Sequence, residues 1–275
     1  MLKKHTSTKF KQILTKIKKI QIQGAENVCK AGVQAYLLQP DSESAKKILA
    51  TRPTEPLLQN AINILEKSQS KKRSSIKFLT DLKKSHAKIA KIGARLIKNN
   101  MNVYSHCHSS TVIDILKEAK KKGKKFTVYT AEVEPLLQGH KTAKDLAKSR
   151  IPVVVVPDLA AEHALAKCDI FLFGADAYTS TEVANKIGTS TLVKIAKLHK
   201  IARYSCGVSL KFTKRITIQN RDPKEVWKIK NPFITVENPP FDKTKLSHLS
   251  GIISEHGVLE KKQFVKAAKK KLDIA

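Results

Sequence analysis

Three short stretches carry side chains that could move protons or hold a phosphate. The first is Ser-His-Cys-His-Ser-Ser at 105–110. Cys107 stands where a strand pattern gives way to a helical one, with Ser109 or Ser110 placed to cap the helix. Backbone N–H groups at such a junction attract anions, and the helix dipole lowers a thiol pKa. A reactive thiol flanked by His106 and His108 is one reading. An inert one is the other, because free cysteine often packs as a small hydrophobe. The second stretch is Gly-Ala-Asp-Ala at 174–177, just past an apolar run. Asp176 is either a loop former or a partly desolvated carboxylate available for proton transfer. The third is Asn-Lys-Ile-Gly-Thr-Ser at 185–190. Read as the opening of a helix, Asn185, Lys186 and Gly188 make a phosphate cradle. There is no Walker A loop and no Gly-x-Gly-x-x-Gly. A Cys–His–Asp hydrolase would need a separate histidine with an orienting partner, and none is identifiable.

These residues need a scaffold, and the pattern supplies one. Residues 1–100 read as helical: Ile13, Ile17 and Ile20 recur at helical spacing, as do Ile62 and Leu65. Over 76–98 a broad apolar face runs through Ile76, Phe78, Leu79, Leu82, Ile89, Ile92, Leu96 and Ile97. The polar stretch 67–75 reads as a helix-to-helix loop. From 101 the texture changes. Strand patterns at 102–106, 125–131, 151–156, 169–175 and 201–206 alternate with helical ones at 110–122, 141–149, 159–167 and 186–200. That alternation predicts a parallel sheet with helices on both faces. Runs such as Val153–Val156 look apolar on both sides, as buried parallel strands do. The expected fold class is α/β: an N-terminal helical domain (1–100) followed by a Rossmann-like domain (101–275), ending in a basic surface helix. In open parallel sheets ligands bind beyond the carboxyl ends of the strands, where the three stretches fall.

Composition narrows the setting. The chain has 275 residues and a net charge of +30, with 41% hydrophobic residues. That is enough to build a core, and no apolar run is long enough to span a membrane. The start lacks the apolar segment of a secretory signal. Four cysteines without a Cys-x-x-Cys pair argue against a disulfide scaffold and a structural zinc site, and for a reducing cytoplasm. Cys29, Cys168 and Cys206 read as core. The basic excess is spread: 22 basic and 6 acidic residues in the first hundred, 31 and 17 in the rest. Spread charge attracts polyanions, RNA and phosphorylated metabolites alike, without naming one. Aromatics at 5% leave little for base stacking.

The chain resembles the superfamily of ribose-1,5-bisphosphate isomerase, methylthioribose-1-phosphate isomerase and the alpha, beta and delta subunits of translation initiation factor 2B. The resemblance lies in QGA (23–25), TRPT (51–54), SHCHS (105–109), LQGHKTAKDL (137–146), GAD (174–176), NKIGT (185–189), RDPKEV (221–226) and NPPFDKT (238–244), in order along nearly the whole chain. TRPT and RDPKEV are most similar to the ribose-1,5-bisphosphate isomerase branch. The resemblance implies the same helical-plus-Rossmann fold, a dimer or hexamer, no metal and no cofactor. It also implies a catalytic pair, Cys107 and Asp176, with Gln23, Gly24, Arg52, Ser109, Glu134, Asn185, Lys186 and Lys211 at the substrate. Two positions depart from the isomerase pattern. Gln23 stands where the isomerases carry Arg before Gly, and Glu134 where they carry Arg before Pro. Glutamine does not replace a bidentate Arg–phosphate contact.

The implied reaction is an aldose–ketose isomerisation of a sugar 1-phosphate, foremost ribose 1,5-bisphosphate to ribulose 1,5-bisphosphate. Asp176 would protonate the ring oxygen and Cys107 would carry the carbon-bound proton. The alternative is a non-catalytic module of the initiation-factor 2B type, binding a sugar phosphate or nucleotide and contacting translation initiation factor 2 or RNA.

Overall fold

The computed structural model describes residues 2–274. It opens with five helices, α1 (Leu2–Lys18), α2 (Ala25–Leu38), α3 (Ser42–Leu49), α4 (Pro56–Glu66) and α5 (Lys71–Leu96). Local chemistry fixes the starts of α3 and α4. The Asp41 carboxylate accepts the Ser44 N–H at 2.8 Å and caps α3. Pro56 takes the first position of α4, where its missing N–H costs nothing. In α5, Phe78, Leu82, Ile89 and Ala94 are buried and lysines fill the outer face. The polar stretch expected as a loop over 67–75 is shorter. α5 already begins at Lys71, because lysine and arginine are good helix formers once an apolar face is there to dock. Ile76 is 54% exposed and does not belong to that face, and Ile20 lies beyond the end of α1 at φ 60°.

The second half runs β1 (Met101–His106), α6 (Ser110–Lys121), β2 (Phe126–Ala131), α7 (Gln138–Ala147), β3 (Val153–Val156), α8 (Ala161–Leu165), β4 (Ile170–Phe173), β5 (Ala177–Tyr178), β6 (Glu182–Lys186), α9 (Thr189–Leu198), β7 (Ala202–Cys206), β8 (Phe241–Lys245), β9 (Gly251–Ser254), β10 (Gly257–Leu259) and α10 (Lys261–Leu272). The main sheet has the order β10-β9-β7-β4-β1-β2-β3. All neighbours are parallel except the β9–β10 pair. The chain works outward from β1 through β2 to β3, then returns to β4 and works outward the other way. The order therefore reverses between β1 and β4, where His106 pairs with Phe173. In doubly wound sheets that reversal opens a crevice at the strand ends.

Two expectations need correction. The Val153–Val156 run is not buried on both sides: it is the outermost strand, with Val154 38% and Val155 39% exposed. Residues 185 and 186 do not open a helix. They end β6, held on one side by β5 and on the other by β8 through Asn185↔Asp242 and Lys186↔Phe241. This second, three-stranded antiparallel sheet, β5-β6-β8, takes its last strand from far downstream, so no local pattern announces it.

One apolar cluster links the helical half to the sheet, running from Phe10 and Ile17 through Leu57 and Ile62 to Val103, Val112 and Ile253. α5 lies along α6 and against β9 and β10. The opposite sheet face is packed with Tyr104, Phe171, Phe173 and Phe264. α10 is lysine-rich yet anchored: the Phe264 ring lies 4.6 Å from that of Tyr178. Burying that phenyl group contributes roughly 1.5–3 kcal/mol. The Asn60 side-chain amide in α4 donates to the carbonyls of Leu210 (2.7 Å) and Phe212 (2.9 Å), gripping the bend that carries Lys211. Among the described residues no helix is long and apolar enough to cross a membrane.

Candidate active site

A cavity of about 640 Å³ opens at the carboxyl ends of β1 and β4. Cys107 and Asp176 both line it, as do Gln23, Gly24, Arg52, Ser109, Asn185, Lys186 and Lys211. Glu134 does not. Its side chain is exposed, and its backbone N–H donates to Asp158 at 2.8 Å, so Leu136 and Gln138 reach the cavity instead. The starts of α2, α4 and α6 all lie in the wall, so three positive helix ends converge on the space.

Cys107 follows the last residue of β1 with φ 67°, a left-handed conformation that non-glycine residues avoid unless their surroundings impose it. Here the Thr142 hydroxyl donates to the Cys107 carbonyl at 3.0 Å, and the thiol donates to Gln138 Oε1 at 3.1 Å. The expectation of a dipole-lowered thiol is reversed. Burial, reinforced by the charge of Asp176, pushes the Cys107 thiol up to about 12, against smaller opposing effects from the His108 backbone N–H, Lys186 and Lys141. Neither flanking imidazole partners the sulfur. His106 is buried, pairs with the Ile187 carbonyl at 3.0 Å, and is held neutral by burial with its pKa lowered to about 4. His108 lines the cavity but bonds the Thr142 hydroxyl at 3.2 Å.

Asp176 leaves β4 through Gly174 and Ala175, and its N–H donates to the Ala184 carbonyl at 2.9 Å. Burial raises its carboxyl pKa, opposed by Lys211 and Arg52. Lys211 is only 6% exposed, and its ammonium donates to the Ala175 carbonyl beside Asp176. Gly174 allows the close approach of β4 to the α6 cap: a Cβ there would sit 2.5 Å from Ser109 Oγ. Gly174→Ala is therefore expected to push apart the two strand ends that carry Cys107 and Asp176. Activity should fall more steeply than Tm when both are measured on the same preparation.

The phosphate cradle expected at 185–190 is partly closed. The N–H groups of Gly188 and Ser190 at the start of α9 both donate to Asp242 Oδ2, each at 2.9 Å. That carboxylate occupies the helix end that a phosphate would take, and burial lifts its pKa to about 6. Asn185 and Lys186 nevertheless face the cavity from β6, with the Asn185 amide donating to Thr189 Oγ1 at 3.0 Å. Sequence reading missed Glu55, Lys141, Arg215 and Arg221, which also line the space. Arg221 makes a two-pronged pair with Glu225 at 2.6 and 2.7 Å. The irregular segment that carries Arg215 and Arg221 has no periodicity to reveal which way it turns. Among the described residues no cluster of histidine, cysteine or acidic side chains could hold a metal ion.

A parallel sheet whose order reverses at a thiol and a carboxyl, joined to a five-helix N-terminal half, defines a class. The chain belongs to the initiation factor 2 subunit family, which it matches over residues 37–261. It is 32% identical over 292 residues to the ribose 1,5-bisphosphate isomerase of Pyrococcus furiosus, covering 90% of this chain and 89% of that protein. It is 31% identical over 256 residues to the methylthioribose-1-phosphate isomerase of a Thermoanaerobacter species, covering 79% and 74%. Among solved structures it is similar to the translation initiation factor eIF-2B of Pyrococcus horikoshii OT3. The TM-score is 0.84 at 25% identity, over 93% of this chain and 98% of that one.

Proposed function

We propose that the chain is an aldose–ketose isomerase of sugar phosphates, and that ribose 1,5-bisphosphate, converted to ribulose 1,5-bisphosphate, is its substrate. The observation that carries this reading is the meeting of Cys107 and Asp176 in one cavity at the point where the sheet order reverses. Isomerising a 1-phosphorylated furanose needs an acid at the ring oxygen and a base for the hydrogen at C2. Asp176 with a raised pKa is suited to the first task. Cys107 carries the second, and its electrostatics link it to the first. The charge on Asp176 is, after burial, the main cause holding the thiol protonated. When Asp176 bears the proton, that cause is gone and the thiolate becomes more accessible, with no change in proton count. Lys141, Lys186, Arg52 and Arg215 supply positive charge to a ligand with roughly four negative charges.

The test is incubation of the purified protein with ribose 1,5-bisphosphate, with ribulose 1,5-bisphosphate followed by NMR. Product formation unaffected by Cys107→Ser would remove the thiol from the mechanism. Absence of product with capture of translation initiation factor 2 would favour the non-catalytic reading. Arg215→Met is expected to raise KM roughly 10- to 100-fold, the loss of one charge-assisted contact, while changing kcat less. Steady-state kinetics separate the two parameters.

A further inference from the structure

Glu55 is a carboxyl of the cavity wall that has no role in the reaction as written above, yet it sits beside the group that does. It occupies the N-cap position of α4, but its side chain makes no capping bond. A residue at that position ordinarily turns a short polar side chain back onto the helix. Glu55 instead lines the cavity with Asp176, and its Oε1 is buried without a hydrogen-bond partner. The groups that face it come from four parts of the chain. They are Asp176 after β4, Lys211 on the bend gripped by α4, Arg52 just upstream, and the buried thiol of Cys29 in α2. Arg52 and Lys211 are also the cations that act on Asp176. Two carboxyls thus share two cations in a desolvated space. Burial first, and then the charge of Asp176, pushes Glu55 up to about 8. Two carboxyls held close in such a space cannot both ionise readily.

We propose that Glu55 is a further catalytic residue of this cavity, holding one proton jointly with Asp176 so that one carboxyl meets the sugar as an acid while the other meets it as a base. The inference rests on the isomerase reading above and deepens it. In that reaction the C1–O4 bond breaks, and its electron pair leaves on O4, which takes a proton from the neutral carboxyl. The Cys107 thiol lends its proton to the ionised carboxyl, and the resulting thiolate removes the hydrogen from C2, that bonding pair becoming the C1=C2 double bond. The sulfur then delivers that hydrogen to C1 as a proton and recovers its own from the carboxyl, which, ionised again, takes the proton of the C2 hydroxyl as C2 becomes the carbonyl. One proton leaves the carboxyl pair and one returns, so the pair ends as it began. The ring oxygen and the C2 hydroxyl are different atoms on the sugar, and two carboxyls can serve both without moving the ring.

The experiment is a carboxyl titration of the full chain, labelled with carbon-13 at the Glu and Asp side-chain carboxyls and followed by NMR. The Glu55 and Asp176 signals are identified by their loss in Glu55→Gln and Asp176→Asn. The expected result is a Glu55 signal that titrates above pH 7 in the wild type. In Glu55→Gln, Asp176 should titrate lower by about one pH unit or more, and Glu55 should fall likewise in Asp176→Asn. With ribose 1,5-bisphosphate as the probe, Glu55→Gln should lower kcat about 100-fold or more and remove one limb of its pH profile, with the thermal melt retained. Titration of Glu55 near 4, or an Asp176 titration indifferent to Glu55→Gln, overturns the shared proton. Wild-type kcat in Glu55→Gln overturns the catalytic role. If the wild type does not turn over ribose 1,5-bisphosphate, the substrate reading fails and the catalytic role of Glu55 in it falls too, while the two titrations still decide whether the pair shares a proton.

Discussion

Asp176→Asn is expected to lower isomerase turnover by roughly 10²- to 10⁴-fold, the usual contribution of a positioned acid or base. The substitution keeps the shape and removes the proton. It also removes the negative charge that helps hold Cys107 as a thiol, so the sulfur should ionise at lower pH than in the wild type. The pH dependence of iodoacetamide alkylation at Cys107 reads that shift without any substrate. Lost turnover together with a more readily ionised thiol would tie the two residues to one electrostatic unit. An unchanged alkylation profile would show that Asp176 does not act on the sulfur.

The second large effect is expected from Lys211→Met. The ammonium is buried against Ala175 and is the main counter-charge to Asp176, and it also lowers the pKa of Glu55. Removing one partner from a buried charge cluster typically costs about 3–5 kcal/mol, a fall in Tm on the order of 10 °C for a chain of this size. Both carboxyl pKa values are already raised in the folded protein, so their burial is best tolerated when they are protonated. Without Lys211 they rise further. Stability is then fully kept below the ordinary carboxylate range and lost as pH rises through the raised values. Melts of Lys211→Met against the wild type should therefore diverge more at about pH 8 than at about pH 5. Glu55→Gln should in turn melt higher than the wild type at about pH 9 and no differently at about pH 4, since glutamine has no charge to bury.

Much of the site is legible in the sequence because its two central residues sit at the ends of strands with unmistakable patterns. Ile170–Phe173 is apolar on both faces and fully buried, so the residues after it must emerge at a strand end. The junction at Cys107 is equally visible, since Ser109 does cap α6. What the residues do not convey is environment. The helix dipole argues for an acidic thiol, but dipole effects are modest beside the desolvation of a recessed sulfur. Lys186 belongs to a strand and not to a helix because β6 is defined by pairing with β8, a partner remote in sequence. Val153–Val156 reads like a central strand, but only topology decides which strand is last. Glu55 reads as an ordinary acid before a proline. Its one hint is its type: a long carboxylate at a helix start that usually takes a short polar side chain.

Asn60 binds the carbonyls on both sides of Lys211 from within α4, a little over one turn after Glu55. A single carboxamide thus indexes two remote stretches of chain to each other. Inserting or deleting a residue in either stretch would break that index and displace an acid and its counter-ion together. Drift at this wall is thereby confined to exchanging side chains on a frame of fixed length.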